Sequence, residues 1–193
     1  PYYHRNMDYD EIGFLHDGTM MGAPMLRATF MVHPRGSVHG PGEDARAMGP
    51  HRGPWGAYFT TLNRGKRSIC GDLSTPEGRT TVLRIAATCD VFLENYRGGK
   101  AAALGLDEAS VRARRPDVIY ASLSAYGPSG PDYSRPGYDA ILQARTGIMS
   151  VTGTGDGAPI RAGVSILDMG AGVWMALGVL AALLEKQRSG KGQ

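Results

Sequence analysis

The stretch VFLENYR, residues 91–97, begins with a short apolar run and ends in polar and aromatic residues. Such a run is typical of a buried strand, and the polar residues after it indicate where the strand ends. A second apolar run, residues 118–123, follows Pro116, a residue type that ends helices. Helical patterns separate the strand-like runs from residue 68 onward. This alternation predicts βαβ units with a parallel sheet, and therefore an α/β fold.

The segment before this stretch follows the same pattern. Residues 67–70 are compatible with a short strand. Thr75 followed by Pro76 is typical of a helix start, with threonine as N-cap and proline at the first helical position. Four apolar side chains then fall on one face of the predicted helix, namely Val82, Ile85, Ala86 and Cys89.

Polar residues follow both predicted strands. Asn95, Tyr96 and Arg97 come after the first strand, and residues 124–127 come after the second. Open α/β sheets bind their ligands beyond the carboxyl ends of the strands. The sequence therefore predicts a binding site in these two loops.

Composition narrows the class of protein only slightly. The chain has 193 residues and a net charge of +3, which is too small to indicate nucleic acid binding. Two cysteines are too few for a disulfide framework, so we expect a cytoplasmic protein. The first residue is Pro1 rather than methionine, and we expect the natural chain to begin upstream of it.

Residues 169–184 carry no charge, and this length of apolar sequence resembles a membrane span. A spanning helix needs about 20 apolar residues, and an acid such as Asp168 at its start is unfavourable in a membrane. Glycine and alanine residues within the run suit close packing inside a protein. We therefore expect a buried helix and no membrane partner, with a membrane helix as the alternative.

The first 42 residues differ in character from the rest. Residues 13–15 and 28–32 are strand-like, and residues 16–19 are typical of a hairpin turn. Four of the five histidines lie before residue 44. We therefore divide the chain into residues 1–42 and residues 43–193.

Several motifs between residues 43 and 193 resemble, in their order and spacing, the family III CoA-transferases of the formyl-CoA and carnitine-CoA transferase type. They are NRGKRS (63–68), TPEG (75–78), ENYR (94–97), GPSGP (127–131), RPGYD (135–139) and GKGQ (190–193), together with Asp168. The resemblance implies part of the Rossmann-like large domain of such an enzyme. Intact family members are interlocked dimers, so it also implies a homodimer.

The resemblance implies a ping-pong transfer of CoA between two carboxylic acids. Asp168 would attack the donor thioester, form a mixed anhydride and then carry CoA as an aspartyl thioester. Apolar neighbours and a helix N-terminus favour such a carboxylate nucleophile, because they supply desolvation and backbone donors. The residues alone leave a second role open, since aspartate before an apolar helix is also a favoured N-cap.

Binding of CoA is expected, from the same resemblance, at eight residues: Asn63, Arg64, Gly65, Asn95, Tyr96, Arg97, Tyr138 and Asp139. Basic side chains at Lys66, Arg67 and Arg97 are either partners for the CoA phosphates or solvated surface charges. The sequence departs from some family members at residues 101–103, where three alanines replace a phosphate-binding arginine. A further arginine and a glycine-rich loop of the family are not recognised, so we expect a truncated or chimeric form.

Residues 1–42 resemble a different family. Residues 34–39 fit PxGxxH, the second cupin motif, and residues 1–6 resemble the homogentisate dioxygenases, whose non-haem iron is held by two histidines and a carboxylate. The resemblance implies His4, His39 and either Glu11 or Asp10 as ligands. About 40 residues cannot close a double-stranded β-barrel, so we expect that iron is not held. The alternatives to CoA transfer are therefore a ring-cleaving dioxygenase and an inactive fusion.

Overall fold

The computed structural model of the chain describes residues 10–20, 23–33, 50–52, 55–63, 66–153 and 155–193. Its strands are β1 (Asp10–Met20), β2 (Ala23–His33), β3 (His51–Arg52), β4 (Trp55–Gly56), β5 (Lys66–Gly71), β6 (Val91–Glu94) and β7 (Ile119–Ser122). Its α-helices are α1 (Ala57–Leu62), α2 (Pro76–Ala86), α3 (Lys100–Ala103), α4 (Glu108–Arg112), α5 (Asp139–Arg145) and α6 (Ile166–Ser189), and Ile148–Val151 forms a 3₁₀ turn. Strands and helices alternate from β5 to β7, as the sequence predicts.

Five strands form one sheet in the order β5-β1-β2-β6-β7. Strands β2, β6 and β7 are parallel neighbours, whereas β1 runs antiparallel to both β2 and β5. The predicted α/β fold with a parallel sheet is therefore confirmed, with β1 as its antiparallel member. The hairpin of β1 and β2 lies within this sheet, between β5 and β6. Division of the chain near residue 43 stays a prediction, and the sheet takes strands from both sides of that point.

The hairpin turn does not lie where the sequence predicts it. Residues 16–19 belong to β1, which continues to Met20, and the connecting residues 21–22 lie outside the described residues. The pairing of β1 with β2 shifts register between Gly18 and Thr19. A bulge or irregularity in the ladder at a glycine therefore replaces the predicted turn.

The core lies around α2, β6 and β7. The Thr75 side chain accepts a hydrogen bond from the Gly78 backbone N–H at 3.1 Å, so the predicted N-cap of α2 is confirmed. Val82, Ala86 and Cys89, on the predicted apolar face, are 0% exposed. They pack in one cluster with residues of the neighbouring elements: Leu73, Phe92, Tyr96, Leu104, Leu106, Val111 and Val118.

The expectation of a buried C-terminal helix is wrong for most of α6. Leu183 is its one buried residue in the part of the chain that the structure describes, and it packs on Val91 of β6 and Ile119 of β7. Farther toward the N-terminus, Val173 is 61% exposed and Trp174 is 75% exposed. The helix has 24 residues, so it is long and apolar enough to cross a membrane by length and composition alone. Its central apolar side chains have no covering layer within the described residues.

A network of charged side chains attaches the last turns of α6 to the sheet. Lys186 Nζ lies 2.7 Å from Asp117 Oδ2 and 3.4 Å from Asp90 Oδ1. Arg115 binds Asp90 at 2.6 Å and Asp117 at 3.1 Å. After α6 the chain turns back at Gly190, which has a positive φ of 72°. Residue 193 then accepts, at its backbone oxygen, a hydrogen bond from the backbone N–H of residue 120 at 2.8 Å.

Candidate active site

The loops after β6 and β7 meet at the carboxyl edge of the sheet, as predicted. Glu94 and Ser122 are register partners at the ends of the two strands. The Leu123 N–H donates to the Glu94 carbonyl oxygen at 3.0 Å, and the Asn95 amide donates to the Leu123 carbonyl oxygen at 2.9 Å. The two loops are therefore joined by their own hydrogen bonds.

Glu94 is a buried acid at this edge that was not singled out as a site residue from the sequence. Its Oε2 accepts the Tyr96 backbone N–H at 2.7 Å. Burial raises the pKa of the Glu94 carboxyl, although hydrogen bonds from the Ser122 side chain and the Tyr96 backbone act in the opposite direction. Glu94 could have been predicted as a site residue from its position, because it is an acid directly after an apolar run, where a strand leaves the core.

The predicted CoA-binding residues after β6 have different surroundings. Tyr96 is 3% exposed and belongs to the core, whereas Asn95 and Arg97 are exposed. The next residue, Gly98, donates its N–H to the Tyr133 carbonyl oxygen at 3.2 Å. A Cβ at Gly98 would overlap the Tyr133 ring, so only glycine allows this close approach. The segment that carries Tyr133 is thereby held against the loop that carries Arg97.

The same segment leads to α5 and its two buried polar side chains. Gly137 packs so closely on Ala125 that an added Cβ would overlap the alanine side chain. Tyr138 is 41% exposed, but Asp139 is only 5% exposed. Asp139 was expected near the thioester end of CoA. Its described hydrogen bonds lead to the protein backbone and to Gln143, and its place near CoA stays a prediction.

Asp139 occupies the position of a cap at the start of α6. Its Oδ1 accepts the backbone N–H groups of Leu167 at 2.9 Å and of Asp168 at 3.3 Å. Its Oδ2 accepts the Gln143 side-chain amide at 2.5 Å. The Arg161 guanidinium is 3.9 Å from the same oxygen.

Asp168 is the third residue of α6 and is exposed, as are its neighbours Ile166 and Met169. The expectation that apolar neighbours desolvate this carboxylate is therefore wrong for the part of the chain that the structure describes. The N-cap position belongs to Ser165, whose side chain makes no capping hydrogen bond. The alternative interpretation of Asp168 as the N-cap is therefore wrong. Asp139 binds the N–H groups that an N-cap side chain would otherwise accept.

The third predicted CoA-binding loop lies after α1. The Asn63 side chain accepts from Lys66 Nζ at 3.1 Å and donates to the Phe59 carbonyl oxygen at 3.0 Å. These bonds stay within residues 59–66. Arg64 and Gly65 lie outside the described residues. Whether these residues bind CoA stays a prediction.

The side chains expected to bind iron lie outside the part of the chain whose side chains the structure describes. His4 and His39 lie outside the described residues, and Glu11 lies in β1, where only the backbone is described. Among the residues that the structure describes, no group of three or more His, Cys, Asp or Glu side chains could hold a metal ion.

The described residues thus form an α/β sheet with joined loops at its carboxyl edge, and a helix whose first turn carries an exposed aspartate. Residues 38–193 match the family described as CoA-transferase family III, so the chain belongs to this family. It is 40% identical over 183 residues to the succinate–glutarate CoA-transferase of Agrobacterium fabrum, covering 90% of this chain and 43% of that protein. It is 38% identical over 176 residues to the acetyl-CoA:oxalate CoA-transferase of Acetobacter aceti, covering 91% of this chain and 44% of that protein.

A solved structure is also similar. The crystal structure of a CAIB/BAIF family protein from Brucella suis has a TM-score of 0.71 and 40% sequence identity, over 79% of this chain and 42% of that one. The chain thus spans less than half the length of these relatives.

Proposed function

We propose that this chain takes part in the transfer of coenzyme A between two carboxylic acids, with Asp168 as the nucleophile. The observation that carries the proposal is the exposed carboxylate on the first turn of α6, in a chain of CoA-transferase family III. The N–H groups of Leu167 and Asp168 donate to Asp139. Asp168 therefore does not serve as the helix N-cap.

The proposed reaction proceeds by two successive acyl exchanges. The Asp168 carboxylate attacks the thioester carbonyl of the donor, the C–S bond breaks, CoA leaves as a thiolate, and the acyl group stays on Asp168 as a mixed anhydride. The thiolate then attacks the Asp168 carbonyl and releases the donor as a free carboxylate. The acceptor carboxylate reverses these two steps, which regenerates Asp168 and yields the new acyl-CoA.

Trapping of the intermediate tests the proposal. The protein is incubated with succinyl-CoA, treated with borohydride or hydroxylamine, and digested for mass spectrometry. We expect modification of the peptide that contains Asp168, none in D168N, and the wild-type amount in D156N, whose substituted aspartate is exposed and lies outside α6. Folded wild-type protein without an adduct would exclude the transferase function for this chain.

For CoA itself, we propose contacts in the three loops that carry the predicted residues: Asn63, Arg64, Gly65, Asn95, Tyr96, Arg97 and Tyr138. Arg97 supports this best, because it is exposed at the carboxyl edge of the sheet and guanidinium groups bind phosphate well. R97M should weaken CoA binding in titration calorimetry at low salt. R84M, which changes an exposed arginine of α2, is the matched control.

We propose that a second copy of the chain covers the exposed face of α6, defined by Val173, Trp174 and Leu177, and that the helix does not enter a membrane. These side chains are 61%, 75% and 52% exposed, a surface that favours burial. Both ends of α6 are attached to the domain, through Asp139 at the start and through Lys186 near the end. Attachment at both ends favours a protein partner over lipid.

Sedimentation velocity and vesicle binding distinguish the two partners. We expect the wild type to form a dimer, W174E to be monomeric, and Q187E, which changes an exposed polar residue, to behave as wild type. We expect no co-sedimentation with vesicles of phosphatidylcholine and phosphatidylglycerol. A monomer at all concentrations, or vesicle binding that W174E abolishes, would contradict the homodimer.

We propose that residues 1–42 are related to the cupin domain of homogentisate dioxygenases but hold no iron. Support comes from the hairpin of β1 and β2, which pairs with β5 and β6 in an open sheet rather than closing a barrel. The family match begins at residue 38, but the two curated relatives match 90% and 91% of the chain, so part of residues 1–42 is also similar to CoA-transferases. The reported relatives are CoA-transferases and give no support to a dioxygenase.

Metal analysis after anaerobic reconstitution with Fe(II) tests this point. We expect iron well below one equivalent, with the same value in H4A and H39A. One equivalent of iron that either substitution removes would show a metal site.

We propose a cytoplasmic location, with an acyl-CoA and a carboxylic acid as small-molecule partners and no nucleic acid. A buried free thiol at Cys89 supports a reducing compartment. Cell fractionation with an antibody to the chain checks the location.

A further inference from the structure

Two buried polar side chains on α5 hold the segment that carries Asp168. Asp139 and Gln143 are four residues apart, so they project from the same side of the helix. They are 5% and 0% exposed. Gln143 was not predicted as a site residue from the sequence. Its spacing of four residues from Asp139 was the signal that could have placed both side chains on one helix face. Burial of a polar group costs free energy unless the group is hydrogen-bonded. The hydrogen-bond partners of this pair therefore indicate what the pair holds in place.

Gln143 holds the loop that leads into α6. Its Oε1 accepts the Ala162 backbone N–H at 2.8 Å. Its Nε2 donates to Asp139 Oδ2 at 2.5 Å and lies 3.3 Å from the Val164 carbonyl oxygen. One amide therefore orients the Asp139 carboxylate and binds the backbone on both sides of residue 163.

Asp139 holds the first turn of α6 through the backbone of the proposed nucleophile. Its Oδ1 accepts the N–H groups of Leu167 and Asp168. The helix N-terminus carries a partial positive charge, which the Asp139 carboxylate meets. The backbone of Asp168 is therefore held by a group other than its own side chain.

This arrangement matters because the Asp168 side chain changes charge during the proposed reaction. It is an anion at the start, and an uncharged anhydride or thioester in the intermediates. A helix start capped by Asp168 itself would lose its cap whenever the carboxylate was acylated. A cap supplied by Asp139 is the same in every intermediate.

We infer that Asp139 and Gln143 are a positioning pair that keeps the backbone of Asp168 in one place throughout the transfer. The inference rests on the proposed role of Asp168 as nucleophile. Misplacement of a reacting group by about 1 Å can cost about a hundredfold in rate. The pair is therefore expected to affect formation of the adduct rather than binding of CoA.

An exchange of the two functional groups tests the inference. D139N brings two amides together, and Q143E brings two carboxylates together, so each single variant breaks the bond between the side chains. D139N/Q143E restores a donor and an acceptor between the two side chains, while the Val164 carbonyl oxygen loses its contact with the Gln143 amide. In that double variant the amide oxygen introduced at position 139 still accepts from the α6 N–H groups. The carboxylate introduced at position 143 still accepts from the Ala162 N–H. At exposed positions, D156N and Q187E provide controls with similar chemical changes.

Adduct formation is measured in a single turnover with succinyl-CoA, beside CoA affinity, thermal unfolding, and amide hydrogen exchange at Leu167 and Asp168. We expect each single variant to slow adduct formation by about ten- to a hundredfold, with little change in CoA affinity. We expect the double variant to recover to within about threefold of the wild type. Exchange at the two amides should rise in Q143E and return to the wild-type value in the double variant.

The outcomes separate this inference from the proposed function. A double variant that is as slow as the single ones, with a wild-type unfolding temperature, would overturn the positioning role. So would single variants that react at the wild-type rate. If the wild type itself forms no adduct, the transferase proposal fails. The hydrogen exchange at Leu167 and Asp168 then decides the positioning role by itself, because unchanged protection in Q143E would contradict it.

Discussion

Phe92 and Trp174 are both large aromatic residues, but one is 0% exposed and the other is 75% exposed. Phe92 lies on β6, stacked on Tyr120 of β7 with ring centroids 5.4 Å apart. Trp174 lies on α6, a helix that is apolar enough to cross a membrane by composition. Hydrophobic character thus predicts which side chains favour burial, whereas the packing of the chain decides whether another surface covers them.

Truncation of Phe92 and of Trp174 should have very different effects on stability. F92A should lower the free energy of unfolding by about 3–5 kcal/mol, because it leaves a cavity in the packed core. W174A should change it by less than about 0.5 kcal/mol when the chain is monomeric. Urea unfolding at low protein concentration measures both values. Equal losses for the two variants would mean that the centre of α6 is buried.

The next effect concerns the attachment of α6 to the core. K186M removes two charged contacts, to Asp117 and Asp90, from a side chain that is 15% exposed. Hydrogen bonds to charged groups contribute roughly 1.5–3 kcal/mol each, and the exposed share of this network reduces that value. We expect K186M to lower the free energy of unfolding by about 1–2 kcal/mol at pH 7. R188M, whose substituted arginine is exposed in the same turn, should leave it almost unchanged.

The effect of K186M should depend on pH. The hydrogen bond from Lys186 is the main cause that lowers the pKa of the Asp117 carboxyl, with Arg115 acting in the same direction. A lowered pKa in the folded state stabilises the protein above the ordinary aspartate pKa, and that stability is lost as the pH falls through the folded value. The difference in the free energy of unfolding between K186M and wild type should therefore shrink below about pH 4. A difference that is the same at pH 3 and pH 7 would argue against the ion network.

The smallest effect is a change in pH dependence at Glu94. Because burial raises its pKa, the protein gains stability from Glu94 below the ordinary glutamate pKa and loses it as the pH rises through the folded value. E94Q should remove this decline while retaining an acceptor for the Tyr96 N–H. Urea midpoints from about pH 4.5 to pH 7 measure the slope. E185Q, at an exposed position of α6, should leave the slope unchanged.

Sequence patterns predicted the local elements well because these depend on neighbouring residues. Thr75 and Pro76 predicted the start of α2, and the apolar run from Val91 predicted β6. The hairpin turn was misplaced, since a register shift at Gly18 lies inside β1. A turn signal and a bulge signal share the same residues, and only the pairing partner separates them.

Part of the candidate site was predictable in the same way. Both loops at the carboxyl edge follow from strand ends, and the structure joins them through Asn95 and Leu123. Asp168 was predicted at the start of a helix, but the residue that caps the helix was not. Asp139 is 28 residues away from Leu167 in sequence, and no periodicity connects the two.

Local sequence patterns were sufficient to predict the alternation of strands and helices, the two polar loops beyond the sheet, and the placement of Asp168 at the start of an apolar helix. These follow from backbone sterics and from periodic burial, which act within a few residues. Three features depend instead on long-range packing: α6 is largely uncovered, Lys186 contacts Asp90 from 96 residues away, and Asp139 with Gln143 holds the segment that carries Asp168. Such contacts depend on how distant segments cross, and that arrangement is set by the packing of the whole chain.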